Sequence, residues 1–268
     1  MSREDQAIEM WTRGDYAIVG DWFAAASRQV LDTLPITPGI RLLDVACGTG
    51  AVAIEAARRG GRVVGLDLTP AMLQEAQRRA EKAGVPVTWK QGSFQNLRHL
   101  GQFDVVTSAF GVMFARDPQQ VAAELVSVCT PGGHIATVAW HEDGAFGSGS
   151  PAIKALLQDL PTGPDVTRWS HRDDVMGFFE NTPATLIQQQ RHTMAIGFDS
   201  IDEAFRQLRA HSGPWQMVLE YLDSRGVSAQ AEAAIKEHLR RYATTRPDGR
   251  IDLQVAYAIS TLQRKAED

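Results

Sequence analysis

The residues able to do chemistry in this chain gather in two short stretches. The run Leu42-Leu43-Asp44-Val45-Ala46-Cys47-Gly48-Thr49-Gly50 passes from apolar residues into a turn of small ones. Small residues let a ligand lie against the backbone, and a helix starting near Gly50 would turn unpaired N–H groups toward it. Roughly twenty residues later, at the end of a second apolar run, stands Asp67. A carboxylate there can accept hydrogen bonds from the two vicinal hydroxyls of a ribose. The two stretches together describe a nucleoside-binding site better than a simple turn.

Two cofactor chemistries fit these features. Gly48-Thr49-Gly50-Ala51-Val52-Ala53 matches the G-x-G-x-x-A dinucleotide fingerprint, which keeps a nicotinamide or flavin enzyme open. Asp44 discriminates between them. A carboxylate at the mouth of the loop repels a pyrophosphate and suits a ligand bearing a sulfonium and an ammonium group, which favours S-adenosyl-L-methionine. Asp44 also has a second reading, as a structural group bonding loop amides.

Other candidates are less specific. Among the seven histidines, His141 follows an apolar run beside Glu142 and Asp143, and His211 opens His211-Ser212-Gly213-Pro214. Either is a candidate general base, against a solvated or structural role. Adjacent residues converge poorly on one ion, so no metal site is expected at 141–143. Cys47 has no paired histidine in the sequence and reads as a small filler rather than a nucleophile. Trp11 and Tyr16 lie on a leader able to fold over the cofactor, or else pack an amphipathic helix. Trp140, Phe110, Met113 and Phe114 end apolar runs, where they line a pocket or complete a core.

These residues need a scaffold, and the sequence supplies one. Short apolar runs at 41–45, 62–67, 103–108 and 134–140 suit strands buried on both faces of a parallel sheet. Between them, Thr69-Pro70 supplies an N-cap and first-turn proline for a helix that Gly84 and Pro86 stop. A second helix opens at Asp117-Pro118, with Gln120 three residues after the cap, and ends at Pro131-Gly132-Gly133. Residues 184–198 and 251–263 read as long strands, and 200–210 and 229–242 as helices, with a turn at Pro247-Asp248-Gly249. Residues 4–34 read as two helices separated near Gly14. The expected fold is α/β: a Rossmann-like, doubly wound, seven-stranded sheet, mostly parallel with a late antiparallel strand, plus N-terminal helices and a helical cap. It forms a single domain over 1–268, with a leader at 1–36, a cofactor-binding core at 37–145, and an acceptor-side cap with the last two strands at 146–268.

Composition narrows the function. The chain has 268 residues, 44% apolar, and a formal net charge of −5. That length fits one enlarged domain, and the charge argues against a nucleic-acid binder, which usually carries a concentrated basic face. Two cysteines without metal or disulfide spacing, and a polar, acidic start, suggest a cytoplasmic protein. No apolar run reaches the roughly 20 residues of a membrane span.

The 44–50 segment resembles motif I of the class I S-adenosylmethionine-dependent methyltransferases, acid-x-Gly-x-Gly-x-Gly, with Ala46 in place of the first glycine. The stretches 65–73, Gly92-Ser93-Phe94, 103–106 and 129–133 resemble the family's later motifs. Trp11 to Tyr16 and Ser108 to Phe114 resemble a bacterial subgroup close to the ubiquinone/menaquinone C-methyltransferases. The resemblance implies that Asp44 and the backbone at Ala46, Cys47 and Gly48 serve the methionyl end of the cofactor, and Asp67 its ribose. Leu68, Met72, Gly92, Ser93 and Phe94 would then serve its adenine. Ser108 and Ala109 would lie near the carboxylate or sulfonium, with Tyr16 closing from the leader. Ser93 stands where the family often has Asp, so the Phe94 backbone would replace a side-chain carboxylate there.

The expected reaction is methyl transfer to carbon or oxygen of a small-molecule acceptor, quinone-like or a specialised metabolite. The alternatives are a nucleic-acid methyltransferase, disfavoured because Ser108-Ala109-Phe110-Gly111 replaces the (Asn/Asp)-Pro-Pro-aromatic motif, and a non-methylating, cofactor-binding use of the fold. The leader helices can cover the site of their own subunit, or a neighbour's in a homo-oligomer.

Overall fold

A computed structural model describes residues 3–147, 151–159 and 163–267. At its centre is one sheet of eight strands: β1 (Arg41–Val45), β2 (Arg62–Asp67), β3 (Thr88–Gln91), β4 (Phe103–Ala109), β5 (Cys129–Trp140), β6 (Ala184–Phe198), β7 (Ala243–Thr245) and β8 (Ile251–Arg264). Their order is β3-β2-β1-β4-β5-β8-β6, with β7 paired to β8. The pairs among β1 to β5 are parallel, and β8 runs antiparallel to both β5 and β6. The expected Rossmann-like sheet with a late antiparallel strand is present, with eight strands rather than seven. The extra one, β7, is three residues long and pairs back across the 247–249 turn, too short for any periodicity to announce it.

Ten helices among the described residues flank the sheet: α1 (Arg3–Arg13), α2 (Tyr16–Gln29), α3 (Ala51–Arg58), α4 (Pro70–Ala83), α5 (Pro118–Ser127), α6 (Pro151–Leu156), α7 (Arg172–Phe179), α8 (Ile201–His211), α9 (Gly213–Ser224) and α10 (Ser228–Arg241). The core lies between them and the sheet. Leu42, Leu43, Val45, Val105, Val106, Ile135 and Val138 are fully buried, at about 1.5–3 kcal/mol of hydrophobic stabilisation per large side chain.

Local signals set the helix ends. Asp117 accepts from the Gln120 N–H at 2.9 Å with Pro118 in the first turn, and Gly84, at φ +67°, ends α4. Thr69 precedes α4 as expected but makes no cap bond through its hydroxyl; its N–H donates instead to Asp67. Strand β5 begins at Cys129, so Pro131-Gly132-Gly133 is strand rather than the expected break. The register against β4 shifts between Phe103 and Val105, which accommodates it.

The chain builds outward from β1 to β3, then returns to β4 on the other side of β1. That reversal makes the carboxyl ends of β1 and β4 the topological switch point, the usual ligand position in such sheets. The loops after these strands touch: a Cβ on Gly111 would lie 2.5 Å from the Ala46 Cβ.

Candidate functional site

The loop after β1 is a tight coil of left-handed residues, with φ +54° at Ala46, +54° at Gly48 and +84° at Gly50. The glycines serve different ends. A Cβ on Gly50 would lie 2.8 Å from Trp89, so packing demands a glycine there; a Cβ on Gly48 would meet nothing within 4 Å. Gly48 therefore marks the open side of the loop. Ala46 adopts the left-handed conformation with a Cβ, at a cost of roughly 1–2 kcal/mol.

Asp67 ends β2 and ties the loop down. Its Oδ2 accepts from the Gly48 N–H at 2.8 Å and its Oδ1 from the Thr69 N–H at 2.9 Å. Burial raises its pKa, and these backbone hydrogen bonds oppose the rise. Each carboxylate oxygen has a further lone pair with which to accept a hydroxyl.

Asp44 is not at the mouth of the loop. It is 1% exposed; its Oδ2 accepts from the Ala53 N–H at 3.1 Å and its Oδ1 from the Thr107 hydroxyl at 3.0 Å. Both of these partners are structural, one in α3 and one in β4, which accords with the reading of Asp44 as a group that sets the loop. Burial pushes its pKa up to about 7, against the hydrogen bonds from Thr107 and Ala53. The same carboxyl caps the first turn of α3 through the Ala53 N–H, so that helix end is already engaged and is not a bare phosphate site.

The remaining predicted cofactor residues fall on either side of this loop. Leu68 is half-buried, and Met72 is buried in the first turn of α4. The Gly92 N–H donates to the Asp67 carbonyl at 3.0 Å, which brings Ser93 and half-buried Phe94 below Asp67. On the β4 side, Ser108 is fully buried and its hydroxyl accepts from the Val112 N–H at 3.2 Å, fixing the turn that follows Ala109. Cys47 is buried, and its thiol pKa is pushed well up by burial, with Asp67 and Asp44 adding to it, which makes a poor nucleophile.

The leader lies over this edge. A Cβ on Gly20 of α2 would come within 2.6 Å of the Thr49 hydroxyl, so α2 rests on the loop itself. Arg79 of α4 holds it there, bonding Asp21 at 2.6 Å and the Ala17 carbonyl at 2.7 Å. Tyr16 packs edge-on against Trp11 (5.6 Å), with its hydroxyl buried beside Gly213, and burial raises its pKa. Trp11 in turn meets Phe114 at 4.9 Å.

Beside this switch point is an aromatic cluster of which the sequence shows only a part. Phe110, with φ +59°, stacks on Trp140 at 3.8 Å, and Trp140 also meets Phe23 (4.7 Å) and Phe146 (5.8 Å). Tyr257 closes the far side, 6.0 Å from Phe110. Phe23, Phe146 and Tyr257 come from the leader, a loop and the last strand. No motif spacing links them; only strand register and helix docking do.

The two candidate bases are held apart from each other by different elements. His141 lies after β5 in a polar cluster, its Nδ1 3.5 Å from Glu142 and 3.6 Å from Asp143, with His171 3.1 Å from Glu142. His211 ends α8, and its carbonyl accepts from the Asp15 N–H at 2.9 Å, so its backbone anchors the leader. Among the described residues, no group of three or more His, Cys, Asp or Glu is arranged to hold a metal.

The residues present fit S-adenosyl-L-methionine. Gly48 leaves backbone open to a ligand, Asp67 is a buried acceptor at ribose distance along the chain, and the helix end nearest the loop carries a carboxylate rather than a bare phosphate site.

Comparison with known proteins agrees. The profile of a family described as "Methyltransferase domain" matches residues 42–133. An uncharacterised protein of Mycobacterium tuberculosis is 35% identical over 238 residues, 87% of each chain. The ubiquinone biosynthesis O-methyltransferase of Escherichia coli is 28% identical over 172 residues, 63% of this chain and 70% of that protein. The solved structure of a geranyl diphosphate methyltransferase in complex with SAM superimposes with a TM-score of 0.53 at 19% identity, covering 90% of this chain and 85% of the other. The chain belongs to the class I S-adenosylmethionine-dependent methyltransferases and uses S-adenosyl-L-methionine as its cofactor.

Proposed function

We propose that the protein methylates a carbon or oxygen of a small, planar, largely apolar acceptor, quinone-like or from specialised metabolism. The observation that carries this reading is the aromatic cluster at the carboxyl edge of β4 and β5. Phe110 occupies a backbone conformation costly for a bulky side chain, which is the kind of strain found at ligand sites. The similarity to a ubiquinone biosynthesis O-methyltransferase supports the same acceptor class.

The cofactor, when bound, supplies a methyl group already activated on a sulfonium. The chain's own part is to bind, align and exclude water, and alignment alone can remove about 7–11 kcal/mol of barrier. In this reading Asp67, Leu68, Met72, Gly92, Ser93 and Phe94 hold the nucleoside. The Ala46–Gly48 backbone, Ser108, Ala109 and Tyr16 serve the methionyl end, with Asp44 setting the loop from beneath. The leader covers both ligands, and Trp140 and Phe110 face the acceptor ring. His141 or His211 takes a proton from a phenolic or enolic acceptor. The proposed setting is a single domain acting in the cytoplasm, on a small molecule rather than nucleic acid. Among the described residues, no helix is long and apolar enough to cross a membrane.

The test is incubation with S-adenosyl-L-methionine and a panel of phenols, naphthols and hydroquinones, scoring methylated product against adenosylhomocysteine. Equal yields of the two are expected, with Trp140→Ala losing turnover while retaining cofactor affinity. Turnover with oligonucleotides alone would refute the acceptor class.

A further inference from the structure

Beyond the aromatic cluster lies a part-buried polar chain that no part of the reaction described above uses. In register across the sheet, Trp140 of β5 faces Tyr257 of β8, and Tyr257 faces His192 of β6. Registered partners project from the same face of a sheet, so the three side chains form one row. The His192 ring stacks on Tyr257 at 5.5 Å with 24° between planes. The Tyr257 hydroxyl donates to Gln29 Oε1 at 2.5 Å, and Gln29 Nε2 lies 3.2 Å from His192 Nδ1.

This chain of bonds fixes the proton on the imidazole. Because Gln29 accepts from Tyr257 through its oxygen, its amide nitrogen must donate to His192, and Nδ1 is therefore the acceptor. A neutral ring then carries its proton on Nε2. That nitrogen atom is buried, and none of the described residues offers it a hydrogen bond. A buried donor left without an acceptor is costly, and such groups call for an explanation.

We propose that the His192 Nε2–H binds an oxygen on the acceptor's ring system, so that the site selects planar acceptors bearing a carbonyl, phenolic or enolic oxygen. This rests on the reading of the aromatic cluster as the acceptor site. Position makes His192 a specificity residue rather than a catalytic one. Strand β6 is three strands beyond β4, about 14 Å at the usual interstrand spacing, so the oxygen it holds is not the atom methylated beside Ser108. A whole acceptor therefore extends from His192 toward β4, as an extended ring system or a ring with a long substituent, and a two-ring probe reports on the His192 end alone. Gln29 is the last residue of α2, so the polar chain is complete only when the leader is docked.

The experiment is calorimetric titration of the full chain, loaded with adenosylhomocysteine, with 2-naphthol and with 2-methylnaphthalene, its counterpart lacking the oxygen. The wild-type protein should prefer 2-naphthol by about three- to ten-fold, the worth of one neutral hydrogen bond. His192→Asn keeps an oxygen to accept from Gln29 but has no atom at Nε2; it should abolish the preference and leave 2-methylnaphthalene affinity unchanged. His192→Gln, which places an amide N–H near the Nε2 position, should restore part of it. In nitrogen-15 spectra, the Nε2 resonance should move with 2-naphthol and not with 2-methylnaphthalene. Equal binding of the two ligands, or a preference that survives in His192→Asn, overturns the inference while leaving the aromatic site standing. Failure of both ligands to bind refutes the aromatic site, and this inference falls with it.

Discussion

Asp44 is a buried carboxyl whose ionisation should carry a cost visible in folding. Its carboxyl is 1% exposed and satisfied by the Ala53 N–H and the Thr107 hydroxyl, yet burial pushes its pKa from 3.8 up to about 7. A raised carboxyl pKa means the folded state holds the proton more tightly than the unfolded one. The stability this contributes is fully present below about pH 4 and is lost progressively as pH rises to about 7. At about 1.4 kcal/mol per pH unit, the total is about 4 kcal/mol, a large part of an ordinary domain's stability. Asp44→Asn cannot ionise and preserves the shape of the site, losing at most one hydrogen bond, about 1 kcal/mol independent of pH. Urea unfolding of both proteins at pH 4.5, 5.5, 6.5 and 7.5 should therefore show the variant gaining on the wild type step by step. By pH 7.5 it should be the more stable of the two. Taking the difference cancels every other titrating group. A difference that stays flat across this range would show that Asp44 titrates normally, and the account of its burial would be wrong.

Four further outcomes are expected. Asp67→Ala should weaken adenosylhomocysteine binding by about 1–3 kcal/mol through lost charged hydrogen bonds, read by calorimetry; unchanged affinity would remove Asp67 from the ribose. Gly48→Val should bind no cofactor because the side chain fills the open face of the loop; its Cβ meets nothing within 4 Å, but a β-branched residue at φ +54° is strained, so the variant should fold with a stability loss of about 1–3 kcal/mol. Circular dichroism and calorimetry together check both halves of that statement. Arg79→Ala, by cutting the bonds to Asp21 and the Ala17 carbonyl, should speed amide exchange through 16–29 while leaving the sheet protected. His238→Ala should cost about 1–3 kcal/mol in urea unfolding, because the Ala145 carbonyl that His238 Nε2 meets at 2.9 Å loses its buried partner.

The cofactor half of the protein was readable because its signals are local. Strand, tight turn and helix follow one another within 41–58, and Asp67 ends the very next strand. The turn demands small residues for steric reasons that any sequence must obey, so Gly48 and Gly50 announce it. The long strands Ala184–Phe198 and Ile251–Arg264 were equally plain from composition and length. Elements with weak periodicity were not: β3, β7, α7 and α9 escaped notice, and β5 ran on through its Pro-Gly-Gly segment. Asp44 shows the limit of reading charge without depth. Its position in the loop was evident from sequence, but whether its carboxylate faced ligand or interior depended on Thr107, contributed by a strand distant in the chain.

The proposed acceptor side belongs almost wholly to tertiary structure. Phe23, Phe110, Trp140, Phe146 and Tyr257 meet only because α2 docks across the sheet edge and β8 pairs with β5 in one register. A shift of that register by one residue would turn Tyr257 to the other face. His192, Gln29 and Tyr257 likewise come from a strand, the leader and the last strand, and no spacing in the chain ties them together. The sequence determined the cofactor, because a backbone turn of small residues must be written in consecutive positions. Only the fold decided which side chains surround the proposed acceptor, because side chains that converge from distant elements need no pattern in order to meet.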